Sequence, residues 1–128
     1  MEKSKIKIAL LGVGNCASSL VQGLQYYSES DSEDGLMSDV IGGYKVEDIE
    51  IVAAIDINNK KIGKDLSDAI FESPNNALKF HDINATTVIV QAGEPLDGVG
   101  TFVKDKISVA KKSSNIVELL KATNTEIL

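Results

Sequence analysis

With 128 residues, 43% of them apolar, the chain has the size of one ordinary domain and enough hydrophobic material for a core. Its net charge of -6 and pI near 4.7 argue against nucleic acid or anionic membranes as partners, since neither attracts an acidic surface. A single cysteine excludes an internal disulfide, and with one histidine distant from it no metal site is expected, so the chain suits a reducing cytoplasm.

Residues 6–11, IKIALL, end in an unbroken apolar run of the kind found in strands covered on both faces of a parallel sheet. The run leads into a glycine turn rather than a cleavage site, so no signal peptide is expected. No stretch approaches the roughly 18–20 apolar residues of a bilayer span. From Asn15 to Tyr27, the residues Ala17, Leu20, Val21, Leu24 and Tyr27 recur at steps of three and four and predict a helix with one apolar face. Residues 28–43, SESDSEDGLMSDVIGG, hold acidic and small residues without a basic partner and predict a long acidic surface loop, reaching to about residue 48. Their spacing does not follow an EF-hand, which favours a solvated loop over a metal site.

Residues 49–56, IEIVAAID, predict a second buried strand ending in Asp56. Ile62, Leu66, Ala69 and Ile70 then share one face of a second helix that stops before Pro74 in the turn-forming SPNN. The β-branched run TTVIV, 86–90, predicts a third strand. Asn115, followed by Glu118, resembles a capping box opening a last helix with Ile116, Val117 and Leu120 on its apolar face. The final TEIL stands where another strand would begin. Strands and helices in alternation, with apolar strands, predict an α/β fold: one domain over residues 1–128 built on a doubly wound parallel sheet.

In GVGNCA, Gly12 and Gly14 take the first two glycine positions of G-x-G-x-x-G/A and Ala17 the third. The first allows a sharp turn out of the strand, the second keeps side-chain atoms away from a pyrophosphate, and the third lets helix and strand pack closely. The N–H groups opening the helix, at the positive end of its dipole, then face the phosphates. The alternative is a bare structural turn. Asp56, at the end of the second strand, suits the ribose hydroxyls of NAD and repels the extra phosphate of NADP; the competing reading is a cap or turn residue. Its distance from the glycines exceeds the usual spacing of about 20 residues, and the acidic loop accounts for the excess. Lys60 and Lys61 are candidates for a 2′-phosphate, with a solvated start to the second helix as the preferred reading. Cys16 reads as a small residue lining the turn rather than a nucleophile, His81 receives no role, and Tyr26, Tyr27 and Tyr44 read as packing residues.

The longer strings GVGNCASSLVQGLQYY (12–27), GLMSDVIGGYKVEDIEIVAAIDINNKKIGKDLSDAIF (35–71), PNN (74–76) and LDGVG (96–100) resemble the N-terminal half of the archaeal and actinobacterial type of myo-inositol-1-phosphate synthase. The resemblance runs from about Ile6 to the last helix. It implies a Rossmann-like sheet that stops before the family's α+β catalytic region. It also implies an isomerase that uses NAD catalytically, oxidising glucose 6-phosphate at C5, closing the ring by an intramolecular aldol step and reducing the product to inositol phosphate. On this resemblance Gly12, Val13, Gly14, Asn15, Cys16 and Ala17 hold the pyrophosphate and Asp56 the ribose; residues 91–93 and 97–100 complete the cleft. The family's catalytic lysines lie downstream. Lys104, Lys106, Lys111 and Lys112 belong to a solvated face, so no catalytic residue and no metal ligand is expected in this chain, and the chain alone is expected to be inactive. A sugar phosphate substrate, a cytoplasmic location and a homo-oligomer, tetrameric in the family, follow from the same resemblance. A non-catalytic nucleotide-binding module and an ordinary NAD-dependent dehydrogenase domain are the alternatives.

Overall fold

A computed structural model describes residues 4–96 and 98–128. Strand β1 (Ile6–Leu11) passes through the Gly12–Gly14 turn into helix α1 (Asn15–Glu29), and the chain returns along strand β2 (Ile49–Asp56). β1 and β2 are parallel, as the apolar runs require, with a register shift after Ile8 that leaves Val52 as the extra residue of β2. The short strand β3 (Gln91–Ala92) adds to the other edge of β2, again parallel. Beyond helix α3 (Ile116–Ala122), the Ile127 carbonyl accepts the Ala9 N–H (2.8 Å) in a parallel bridge beside β1. The lateral order is therefore β3, β2, β1 and the 126–127 segment. The chain builds outward from β1 on one side, then crosses back to its other side. Such a reversal is the topological switch point of a Rossmann-like α/β sheet, where the crevice at the carboxyl ends of the strands receives ligands.

The core joins Val13, Val21, Ala54, Leu66, Ala69, Ile70 and Val90. Three expectations need correction. Helix α1 does bury Ala17 and Val21, but Leu20 is 42% exposed, while Ser18 and Gln22 are completely buried. A polar stripe along α1 holds the extended segment 76–84: Asn15 accepts the N–H groups of Asn76 and Ala77, Gln22 those of Phe80 and His81, and Gln25 that of Asn84. At the end of the stripe Glu29 lies 3.0 Å from His81 Nε2. Backbone donors of an extended segment without a strand partner need acceptors, and these side chains supply them. The second predicted helix shrinks to one turn, α2 (Leu66–Ala69), with Ile62 in the turns before it.

The third correction concerns TTVIV. Only the residues just after it join the sheet. Residues 86–90 instead run antiparallel to 63–66, with Gly63 N–H donating to Val90 O, Val90 N–H to Lys64 O and Leu66 N–H to Val88 O. Asp65 caps α2 through the Ser67 N–H and also accepts the N–H and hydroxyl of Thr86 and the N–H of Thr87. Burial alone would push its carboxyl up. The backbone and hydroxyl donors of Ser67 and Thr86 outweigh that and hold it well below the usual carboxylate range. Asp65→Ala is expected to cost ~2 kcal/mol in urea unfolding at neutral pH, since a cap and a cross-link are lost together. Because the folded value lies below the unfolded one, the stabilisation is present above about pH 4 and is lost as the pH falls below it; the difference between variant and wild type should shrink in acid.

The loop after α1 lacks regular structure apart from a bridge between Ile41 and Tyr44 and one 3-10 turn at Val46–Asp48; Tyr27 Oη donates to its Asp34 carbonyl (2.6 Å). In α3, Asn115 accepts the Glu118 N–H as expected of a cap, while Val117 is 61% exposed rather than packed. No helix among the described residues is long and apolar enough to cross a membrane.

Candidate functional site

A cleft of about 820 Å³ opens at the carboxyl ends of the three strands. Leu11 and Gly12 leave β1 on its floor, Ile55, Asp56 and Ile57 leave β2, and Gly93 follows β3; residues 94–96, Gly98 and the start of α3 from Ser113 to Val117 form the far wall. Ser114 N–H donates to Ala92 O (2.8 Å), which ties that wall to β3. Gly93 is required by close approach: a Cβ there would lie 2.8 Å from Ile55 Cγ2.

The glycine turn and Asp56, 43 residues apart, meet here. Val13 N–H donates to Asp56 Oδ2 (2.7 Å), Asn58 N–H to Oδ1 (2.8 Å), and Gly12 N–H to Ile55 O (2.8 Å). A carboxylate offers about four lone-pair sites. With each oxygen engaged once by these donors, each keeps capacity for another, and Asp56 lines the cleft. The turn reading of Asp56 thus describes real contacts, and they leave room for a diol. Gly12 has φ +99°, which favours glycine, whereas Gly14 has φ -94° and open space where a Cβ would stand. That space lies at the N-terminus of α1, whose first N–H groups have no acceptor within the helix. A dinucleotide pyrophosphate fits this arrangement.

The other sequence candidates divide. Val13 and Ala17 are buried beneath the turn, and Cys16 is exposed. The Asn15 side chain is spent on residues 76–77, so its backbone N–H is what remains for a ligand. In the 91–93 stretch, Gln91 turns back onto the Ile89 carbonyl and Gly93 lines the cleft; in the 97–100 loop, Gly98 lines it and Asp97 lies outside the described residues. Lys60 is exposed, but Lys61 is 4% exposed, which overturns the solvated reading and removes it as a 2′-phosphate ligand. Its ammonium donates to the Val13 carbonyl and to Asn75 Oδ1, both at 2.7 Å. Burial pushes this ammonium down, with Asp56 and Glu72 opposing the shift. Sequence reasoning missed both supports, Lys61 and Asn75, and the α3 wall. The adjacency of NKK to SPNN carries no periodic signal; only the strand end at Asp56, just before Lys61, hinted at a neighbour of the turn. Lys104, Lys106, Lys111 and Lys112 are exposed. Among the described residues no three His, Cys, Asp or Glu side chains gather as a metal would need.

Fold and cleft define a Rossmann-like α/β unit. Comparison with known proteins narrows this. No family model matches the chain. It is 47% identical, over 97% of its length, to the inositol-3-phosphate synthase of Mycolicibacterium smegmatis. To the inositol-3-phosphate synthase of Mycobacterium tuberculosis it is 45% identical over 98%. Each alignment covers 35% of the relative. A crystal structure of Ari2 superposes with a TM-score of 0.70 at 28% identity, covering 98% of this chain and 37% of that one. A myo-inositol-1-phosphate synthase-related protein from Thermotoga maritima matches the fold with the same TM-score at 22% identity, over 96% of this chain and 33% of that one. Over nearly its whole length the chain is similar to inositol-3-phosphate synthases, and it spans about a third of the length of the curated relatives it matches.

Proposed function

We propose that these residues form the NAD site of an inositol-3-phosphate synthase acting on glucose 6-phosphate. The observation that carries this reading is the contact between the glycine turn and the Asp56 carboxylate, which sets the turn beside a carboxylate at the mouth of the cleft that Gly12 and Asp56 line. When bound, NAD supplies a hydride acceptor for the sugar carbinol and returns the hydride later. The chain's own residues bind and orient. The N–H groups of Gly14, Asn15 and Cys16 hold phosphate oxygens at the positive end of α1. Asp56 accepts the adenosine ribose hydroxyls, and its negative charge disfavours a 2′-phosphate. The apolar cleft walls at Leu11, Ile55 and Ile116 shield the remainder of the dinucleotide from water. No residue of this chain receives a catalytic role, because the lysines implied by the family resemblance have no counterpart among the cleft residues.

Calorimetric titration tests the reading. NAD is expected to bind the 128-residue chain in preference to NADP, with no inositol phosphate formed from glucose 6-phosphate by the chain alone. Absence of NAD binding would refute the site, and turnover would refute the assignment of chemistry elsewhere.

A further inference from the structure

Lys61 is a charged side chain in the interior, 4% exposed. Its ammonium donates to the Val13 carbonyl (2.7 Å), and Asn75 Nδ2 donates to the same oxygen (3.0 Å) while Asn75 Oδ1 accepts from Lys61. Asn75 is itself anchored by a bond from Nδ2 to the Ile70 carbonyl (2.9 Å). The Val13 carbonyl is therefore gripped from below by two donors, one of them charged. The Val13–Gly14 peptide is trans, so its C=O and N–H point in opposite directions. Holding the carbonyl inward turns the Gly14 N–H outward, at the opening of α1 where it has no intrahelical acceptor. The preceding N–H, that of Val13, is turned to Asp56. The two peptides around Val13 are thus pinned in alternating orientation by a carboxylate and an ammonium from the same stretch of chain.

We propose that Lys61, acting with Asn75, is a positioning residue for the dinucleotide pyrophosphate: it holds the Val13–Gly14 peptide so that the Gly14 N–H is offered to a phosphate oxygen. This rests on the NAD reading above. A neutral side chain would fill the same space, but a charge-assisted bond is about twice as strong as a neutral one and keeps the peptide from flipping. The loss should fall on phosphate recognition and leave the ribose and adenine contacts, which Asp56 and the cleft walls make.

The test compares ADP with adenosine on the intact protein, by NMR titration of amide resonances, in wild type and Lys61→Met. Thermal melting checks that the variant folds. ADP is expected to bind the variant about tenfold more weakly, with adenosine affinity within about twofold and the Gly14 amide resonance displaced. Parallel loss of ADP and adenosine would indicate a merely structural role and overturn the proposal. Equal ADP affinity in both proteins would overturn it while leaving the NAD site standing. A wild type that binds neither ADP nor NAD would overturn both. Should Lys61→Met not fold, Asn75→Ala and Lys61→Arg carry the same comparison: the first should lose ADP selectively and the second retain it, and failure of either pattern counts against the proposal.

Discussion

Gly14→Val is expected to weaken NAD binding at least about 100-fold, equivalent to roughly 2.7 kcal/mol, and to leave the fold nearly untouched. The separation follows from local geometry. Gly14 has φ -94° and ψ -160°, a conformation any residue adopts, and a Cβ there meets no atom within 4 Å. Valine is a poorer helix cap than glycine, which should cost under about 1 kcal/mol in thermal or urea unfolding. The space that is empty within the protein is where the proposed pyrophosphate would sit, so the side chain is expected to penalise the ligand alone. Gly12 cannot serve as the same probe. Its φ of +99° would strain any side chain by ~1–3 kcal/mol, mixing fold and site. Equal NAD affinity in wild type and Gly14→Val would reduce the glycines to a structural turn.

Asp56→Ala is expected to abolish the preference for NAD over NADP, with NAD binding at least about tenfold weaker. Two effects combine. The ribose hydroxyls lose their acceptor, and the Val13 and Asn58 N–H groups lose theirs, so the variant should also unfold ~2 kcal/mol more easily. Asp56→Asn separates the two: it keeps the volume and one acceptor oxygen but removes the charge that disfavours a 2′-phosphate. Discrimination should fall in Asn with less loss of stability than in Ala. Competitive titration of the two dinucleotides reads both, and a wild-type preference for NADP would refute the role of Asp56.

The glycine turn, β1, α1 and β2 were legible because each is specified locally: apolar runs for strands covered on both faces, steps of three and four for a helix, and glycine spacing at the junction. Even the pairing of the turn with Asp56 follows from the expectation that consecutive parallel strands lie side by side. The TTVIV run was misread because β-branched density marks extended backbone without naming its partner; Asp65, accepting from Thr86 and Thr87, draws that segment to the 63–66 loop instead of β2. The polar stripe on α1 was invisible for a related reason. Hydrophobic periodicity assigns Gln22 to solvent, yet its amide is buried by the carbonyl and N–H groups of residues 78–81.

By itself, then, the sequence determined the strand–turn–helix unit, the carboxylate that ends β2 and, through its longer strings, the resemblance to inositol-phosphate synthases. Only the tertiary structure decided what stands behind those residues. A lysine written beside another lysine looks like surface. Lys61 is interior because the Val13 carbonyl, Asn75 and the nearby Asp56 charge together offset the desolvation of its ammonium, and the first two come from other stretches of chain. Local pattern records what each residue prefers in water; which polar groups can leave water together depends on the neighbours that folding brings to them.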